Sequence, residues 1–171
     1  TNAGALVRFS GTDRVTIDGS TTGGTATGVG GNAALRELTI QNTNTGTAAA
    51  VIAFASGTNG AQNNTVRNTN ILGQDPTTTL IAIAFGGNTL GTTGTDNDGN
   101  RVENCSVKRA IYGIYSAGLS AANQNTGTVI TRNDLSSTTT DRVRRVGIVV
   151  FNDDGAQITE NSIATETNES A

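Results

Sequence analysis

Three oxygen-bearing side chains lie close together in the segment TDNDGN. Asp96, Asp98 and Asn100 occupy alternate positions, and carboxylate and amide oxygens are the ligands that calcium prefers. The spacing departs from an EF-hand loop, because Gly99 comes two residues too early and the twelfth position is Val107. Calcium is thus the one cofactor that the sequence suggests, and the mismatch favours the alternative, an ordinary loop of Asx turns.

Three arginines follow one another closely in the segment DRVRRV. Arg142, Arg144 and Arg145 precede an apolar run, and guanidinium groups suit sulfated or carboxylated sugars and phosphate. The three arginines therefore predict a site for an anionic glycan. The alternative is a solvated strand edge with local salt bridges, in which the arginines are neutralised by Asp141, Asp153 and Asp154.

The sequence offers little for catalysis. It contains no histidine, the commonest acid-base residue. A glycoside hydrolase needs two opposed carboxylates about 5 to 9.5 Å apart. The late acidic residues that could supply them are Asp134, Asp153, Asp154 and Glu160. Since Asp153, Asp154 and Gly155 also have the composition of a turn, we expect no catalytic residues.

Two short patterns recur along the chain. The first is Val102-x-Asn104-x-x-Val107, which returns as Val66-x-Asn68-x-x-Ile71 and twice more with the asparagine moved by one position. The second is an alternating apolar element that ends on an aromatic residue. Its five copies end at Phe9, Phe54, Phe85, Tyr115 and Phe151. The copies recur at roughly 28 to 36 residues, a period typical of solenoids.

The repeat predicts an all-β parallel solenoid of about five to six coils. Glycine, threonine and asparagine are abundant and proline is almost absent, which favours strands and turns over helices. In such a coil the five terminal aromatic residues form an internal stack. Asn68 and Asn104 then lie at a sharp bend, where asparagine tolerates a left-handed conformation and stacked amides can bond from coil to coil.

With these units the chain resembles the right-handed parallel β-helix repeat proteins. The likeness is carried by segments such as NTVRNTNILG and NRVENCSVKRAIYGIY and covers roughly residues 5–164. The resemblance implies roles found among secreted polysaccharide lyases, glycoside hydrolases, viral tailspikes and bacterial surface adhesins. We expect residues 1–171 to form a single β-helix domain within a longer repeat-containing chain. Long loops such as STTGGTATGVGGN are expected to protrude from the coil.

Charge and composition argue against two classes of partner. The net charge of −3 and the pI of 4.8 argue against nucleic acid, and no apolar run is long enough to insert in a membrane. We therefore expect a bacterial extracellular or cell-surface segment, a rigid rod whose loops contact a surface or a polysaccharide. The partners expected are this ligand and further coils of the same parent chain. The alternative is a carbohydrate-active enzyme or a carbohydrate-binding β-helix.

Overall fold

The computed structural model describes residues 4–164, which wind through five successive coils of short strands. Two single-turn 3₁₀ helices, Ala33–Leu35 and Thr139–Asp141, lie in the connections. In chain order the coils contain β1 (Ala5–Ser10), β2 (Thr16–Asp18) and β3 (Leu38–Gln41); β4 (Ala49–Ala55), β5 (Thr65–Arg67) and β6 (Thr69–Leu72); β7 (Thr79–Gly86), β8 (Arg101–Glu103) and β9 (Ser106–Lys108); β10 (Ala110–Ala117), β11 (Asn125–Thr126), β12 (Val129–Thr131) and β13 (Asp134–Leu135); β14 (Val143–Phe151), β15 (Asp153–Asp154), β16 (Gln157–Thr159) and β17 (Ser162–Ile163).

Each coil contributes one strand to each of three parallel five-stranded sheets. Sheet A contains β1, β4, β7, β10 and β14, sheet B contains β2, β5, β8, β12 and β16, and sheet C contains β3, β6, β9, β13 and β17. Strands β11 and β15 form a small fourth ladder. Every named strand pairs in parallel with its equivalent in a neighbouring coil, so the fold is an all-β parallel β-helix, consistent with the right-handed winding that the family resemblance implies.

Equivalent residues of successive coils lie above one another in the core. Ile52 of β4 pairs with Ile83 of β7, and Phe54 pairs with Phe85. The rings of Phe9, Phe54 and Phe85 stack, with centroids 5.0 and 4.9 Å apart. The N-terminal part of the predicted aromatic stack is therefore present. Offset stacking of this kind adds about 0.5 to 1.5 kcal/mol per pair beyond the burial of apolar area.

The C-terminal part of that predicted stack is wrong. Ser116, not Tyr115, pairs with Phe85, and Val150, not Phe151, pairs with Ser116. The cause is a pair of consecutive inward residues within the strand, such as Val51 and Ile52 of β4, which breaks the strict alternation of inward and outward positions. Ser116 is accepted in the interior because its Oγ receives a hydrogen bond from Asn125 across 3.3 Å.

The bend between sheets B and C is occupied as the repeat predicts. Asn68 and Asn104 have positive φ angles of 55° and 50°. Nδ2 of Asn104 donates to Oδ1 of Asn68 across 2.8 Å, so the two amides link neighbouring coils. In the last two coils the left-handed position passes to Arg132 and Glu160, and the asparagine follows one residue later, as the shifted repeat indicates.

The first long loop does not protrude. We call residues 19–37 the strap, because this segment leaves coil 1 and runs along the bend toward coil 5. The backbone N–H of Gly30 donates to the carbonyl of Glu160 across 2.8 Å. The N–H of Asn32 donates to Oδ1 of Asn104 across 2.7 Å, and Nε of the buried Arg36 donates to the Asn104 carbonyl. The strap thus ties the first coil to the third and the fifth.

Ion pairs run along the outside of sheet B from coil to coil. Arg67 lies 2.7 Å from the carboxylate of Asp18. Farther along, Glu103 contacts Arg101 at 2.9 Å and Arg132 at 3.2 Å. Arg132 also lies 2.7 Å from a carboxylate oxygen of Glu160. Arginines and carboxylates alternate along the axis of the helix, so their charges are paired between neighbouring coils. These pairs stabilise the stacking of the coils and leave no patch of one charge on this side.

Candidate ligand-binding face

The outer surface of sheet A is mostly apolar, which is unusual for a solvent-facing sheet. Its residues form rows across the five coils, since the parallel register places equivalent positions side by side. One row contains Ala5, Ala50, Ile81, Tyr112 and Val146, and the next contains Arg8, Ala53, Ala84, Tyr115 and Val149. An exposed apolar surface of this kind typically marks a site of interaction.

A loop covers the middle of this surface. Residues 87–93, which follow β7, fold back so that Leu90 packs on the outer alanines of sheet A. Nη2 of Arg8 donates to the carbonyl of Asn88 across 2.7 Å, and the hydroxyl of Tyr115 donates to the carbonyl of Gly91 across 3.0 Å. The loop is therefore held at both sides, and it buries Ala53 beneath it.

Beyond the loop the surface opens into a cleft next to two tyrosines. The cleft has a volume of about 370 Å³ and is lined by Leu80, Ile81, Leu90, Gly91, Tyr112, Tyr115 and Val149. Phe151, with 55% of its area exposed, and Val146, with 40%, continue the same surface on the last coil. We call the surface formed by Tyr112, Tyr115, Val146, Val149 and Phe151 the aromatic face.

Glycine at two positions makes this outward arrangement possible. Gly113 and Ile114 both point inward, so that Tyr112 before them and Tyr115 after them point outward. A Cβ at Gly113 would lie 2.4 Å from the carbonyl of Gly147, which is closer than any side chain allows. The close approach of two coils at this glycine pair therefore fixes the register that exposes the tyrosines.

The tyrosines supply both apolar surface and hydrogen-bonding groups. Both tyrosine side chains are half-buried and pack against the outer apolar residues of sheet A. Burial, and then the charge of the neighbouring Tyr112, raises the pKa of the Tyr115 phenol above its ordinary value. Its hydroxyl is protonated at neutral pH and donates to the Gly91 carbonyl, so its oxygen remains available to accept a hydrogen bond from a ligand. Rings with a polar tip suit ligands that have an apolar face and a rim of hydroxyl groups.

The predicted arginine site is divided in the structure. Arg142 lines a shallow cavity of about 540 Å³ together with Asp75, Thr139 and other residues of two turns. Arg145 instead lies beside Val146 at the open end of the last coil. Arg142 and Arg145 thus line different cavities, and neither cavity includes Arg144. Anion binding by the three arginines stays a prediction.

The predicted calcium ligands do not converge either. Asn100 is fully buried, and its Oδ1 accepts from both the backbone and the side-chain nitrogen of Asn64, at 2.9 and 3.1 Å. One carboxylate oxygen of Asp98 accepts from the N–H of Thr126 across 2.7 Å. Asp96 is exposed in a left-handed turn. The segment is thus a loop whose asparagine bonds to the neighbouring coil.

The late acidic residues are separated by the coil. Asp134 accepts from Ser136 and lies 3.7 Å from Arg36, while Glu160 pairs with Arg132 on another side. Asp153 accepts from Ser116 across 3.2 Å. These carboxylates serve turns and ion pairs at different bends. Within residues 4–164 no group of three or more histidine, cysteine, aspartate or glutamate residues could hold a metal ion.

Sequence spacing did not identify the aromatic face. The alternating pattern assigns Tyr115 and Phe151 to the core and gives no role to Tyr112. The signal that places them outside is the isoleucine at positions 52, 83, 114 and 148, which aligns the strands by their true register.

None of the helices in the described part of the chain has the length and apolar character needed to cross a membrane. Comparison of the chain with protein-family models, curated proteins and solved structures gives no match.

Proposed function

We propose that this chain is a rigid extracellular β-helical module of a bacterial surface that binds a polysaccharide through the aromatic face of sheet A and does not cleave it. The observation that carries the proposal is the placement of Tyr112, Tyr115 and Phe151 on one outer surface beside an open cleft. Protein surfaces that bind sugar chains need flat apolar area and nearby hydrogen-bonding groups, and this face offers both.

The spacing of the rings suits an extended ligand. Tyr115 pairs with Val149, and Phe151 lies two residues farther along the neighbouring strand. With strands about 4.8 Å apart and a rise of about 3.3 Å per residue, this step separates the two positions by roughly 8 Å. A chain of linked sugar rings crossing the strands could therefore contact both aromatic residues in succession.

The coil supplies a scaffold that needs no rearrangement on binding. Three sheets, the phenylalanine stack, the asparagine pairs and the strap fix each strand of sheet A relative to the next. A preformed surface loses little conformational entropy when the ligand binds. The loops fold back on the coil. The contact surface is therefore the sheet itself and not a set of protruding loops.

The use of the acidic groups supports binding without cleavage. The carboxylates of Asp134, Glu160 and Asp153 are each engaged by an arginine or a hydroxyl group at different bends. A hydrolase needs two carboxylates facing each other across the scissile bond. The aromatic face itself consists of Tyr112, Tyr115, Val146, Val149 and Phe151, none of which is acidic.

The test is a glycan array with the purified chain, followed by affinity measurements on the polysaccharide that it selects. Phe151→Ala and Tyr112→Ala should each weaken binding about tenfold, which corresponds to roughly 1.4 kcal/mol. The matched control is Val29→Ala, because Val29 is 71% exposed on the strap, away from sheet A. Unchanged affinity in both aromatic variants would overturn the proposed site. Shortening of the bound polymer would overturn the absence of catalysis.

A further inference from the structure

The loop of residues 87–93, which we call the barrier loop, closes the tyrosine cleft of sheet A on one side. Its Leu90 packs on the outer apolar residues of the sheet. Leu90 also lines two cavities. One is the cleft beside the tyrosines, and the other is a cavity of about 240 Å³ that Arg8 and Asn88 line as well. The Leu90 side chain therefore separates the two cavities and forms a wall at the inner end of the cleft.

The burial of the outward residues shows how far a ligand can advance along sheet A. In one row Ala50 and Ile81 are fully buried, and in the next row Ala53 and Ala84 are buried as well. Both rows become accessible at the tyrosines of β10 and continue over β14. A ligand that crosses the strands from β14 therefore stops at β10, where it meets Leu90.

Hydrogen bonds hold the barrier loop in one conformation. The N–H of Gly87 donates to the carbonyl of Thr92 across 3.0 Å, and Oγ1 of Thr92 donates to the carbonyl of Thr89 across 2.7 Å. The preceding coil adds a contact, because the N–H of Gly57 donates to Oδ1 of Asn88 across 3.2 Å. Together with the bonds to sheet A described above, these contacts make the loop a fixed wall of the cleft.

The wall offers hydrogen-bond acceptors to a terminal sugar. The Tyr115 oxygen can accept, because its proton is donated to the Gly91 carbonyl. That carbonyl oxygen has two lone pairs and can accept a second hydrogen bond. The terminal sugar of a chain has a free hydroxyl at the position that an internal sugar uses for its glycosidic bond. The two acceptors beside Leu90 therefore suit this additional hydroxyl donor.

We propose that the cleft recognises the end of a polysaccharide chain. The terminal sugar lies against Leu90 and Tyr115, and the rest of the chain leaves across β14 toward Phe151. The cleft volume of about 370 Å³ fits this arrangement, because it lies at the lower end of the range of pockets that enclose small ligands. The inference rests on the proposed function and deepens it, since it limits binding to one protein at each recognised chain end.

The decisive test counts chain ends. The probe is the polysaccharide that the glycan array selects, used intact and after partial acid hydrolysis, which raises the number of ends at constant mass. The fragments are kept long enough to reach from Leu90 to Phe151. Co-sedimentation measures how much unmodified protein a fixed mass of polysaccharide binds at saturation. This amount should rise in proportion to the number of chain ends. An amount that stays constant as the ends multiply would overturn the inference and leave the proposed function standing.

A variant of the wall provides the second measurement. Leu90→Ala lowers the wall, so internal segments of a chain can enter the cleft and the bound amount should no longer follow the number of ends. Val29→Ala, an exposed change on the strap, is the control and should behave as the unmodified protein does. If Leu90→Ala folds, as judged by circular dichroism, and still follows the ends, Leu90 is not the barrier and the inference is overturned. If the array selects no polysaccharide, the proposed function fails and the inference fails with it.

Discussion

Nδ2 of Asn104 donates a hydrogen bond of 2.8 Å to Oδ1 of Asn68, which lies at the same bend of the preceding coil. The same Asn104 side chain accepts from the N–H of Asn32 and from Arg36, both in the strap. One buried amide therefore joins two coils and the segment that runs across them. A residue with this many partners should be a main determinant of stability.

Replacing Asn104 should destabilise the coil strongly. Asn104→Ala leaves several buried polar groups without partners and puts alanine, which tolerates the left-handed region less well than asparagine, at a φ of 50°, so we expect a loss of about 3 kcal/mol. Asn104→Gly loses the same hydrogen bonds but tolerates the backbone, so it should cost about 1 kcal/mol less. Urea denaturation measures both values. The exposed Asn59 is the control, and equal effects of Asn59→Ala and Asn104→Ala would contradict this role.

The register of sheet A predicts opposite outcomes for two phenylalanines. Phe85 is fully buried in the stack, so Phe85→Ala should cost about 3 to 5 kcal/mol. Phe151 is 55% exposed, so Phe151→Ala should cost less than about 1 kcal/mol. The comparison uses the same substitution and the same denaturation assay. A large loss at Phe151 would show that it lies inside the coil after all.

The ion pairs on sheet B predict a loss of stability in acid. Burial alone would raise the pKa of Glu103, but hydrogen bonds and the charges of Arg101 and Arg132 outweigh it, so its pKa lies below the ordinary value of 4.5. A carboxylate with a lowered pKa stabilises the folded state above its unfolded pKa, and this contribution is lost as pH falls through the folded pKa.

Glu103→Gln should therefore lower the thermal midpoint at pH 7, by the equivalent of about 1 to 2 kcal/mol. The difference from the unmodified protein should shrink as the pH falls through and below 4.5. Melting curves between pH 7 and pH 3 measure it, with the exposed Asp154→Asn as control. A difference that stays constant down to pH 3 would show that charge is not the cause.

The single cysteine should be chemically silent in the folded protein. Cys105 is fully buried, and burial raises the pKa of its thiol to about 12. The thiolate is the reactive form, so very little of it exists at neutral pH. A thiol reagent should label less than one tenth of the native protein within the time that labels all of it in denaturant. Rapid labelling of the native protein would show that this part of the core opens readily.

The repeated pattern predicted the features that depend on identical neighbours. The stack of Phe9, Phe54 and Phe85 and the bend at Asn68 and Asn104 follow from residues that recur with the same spacing. At each of these positions the same residue type recurs in successive coils. Residues that share a position in the repeat therefore contact each other in the fold. The number of coils follows from the same count.

The wrong predictions concern positions at which the copies of the repeat differ in sequence. Aligning the units on their last aromatic residue put Tyr115 and Phe151 in the core, whereas aligning them as VIAF, AIAF, GIYS and GIVV places isoleucine on isoleucine. The two inward residues in succession break the strict alternation on which the prediction relied. The strap was missed for another reason. Its contacts to Asn104 and Glu160 join residues far apart in sequence, and no local pattern encodes them.

The central claim is that the aromatic face binds a polysaccharide, and intrinsic tyrosine fluorescence tests it most directly. The chain contains two tyrosines and no tryptophan, and both tyrosines lie on this face. Titration with the polysaccharide selected by the array should change the emission in a saturable way, with a midpoint equal to the calorimetric Kd, and Phe151→Ala should shift that midpoint about tenfold. Calorimetric binding that leaves the tyrosine emission unchanged would contradict the account, because the ligand would then lie elsewhere on the coil.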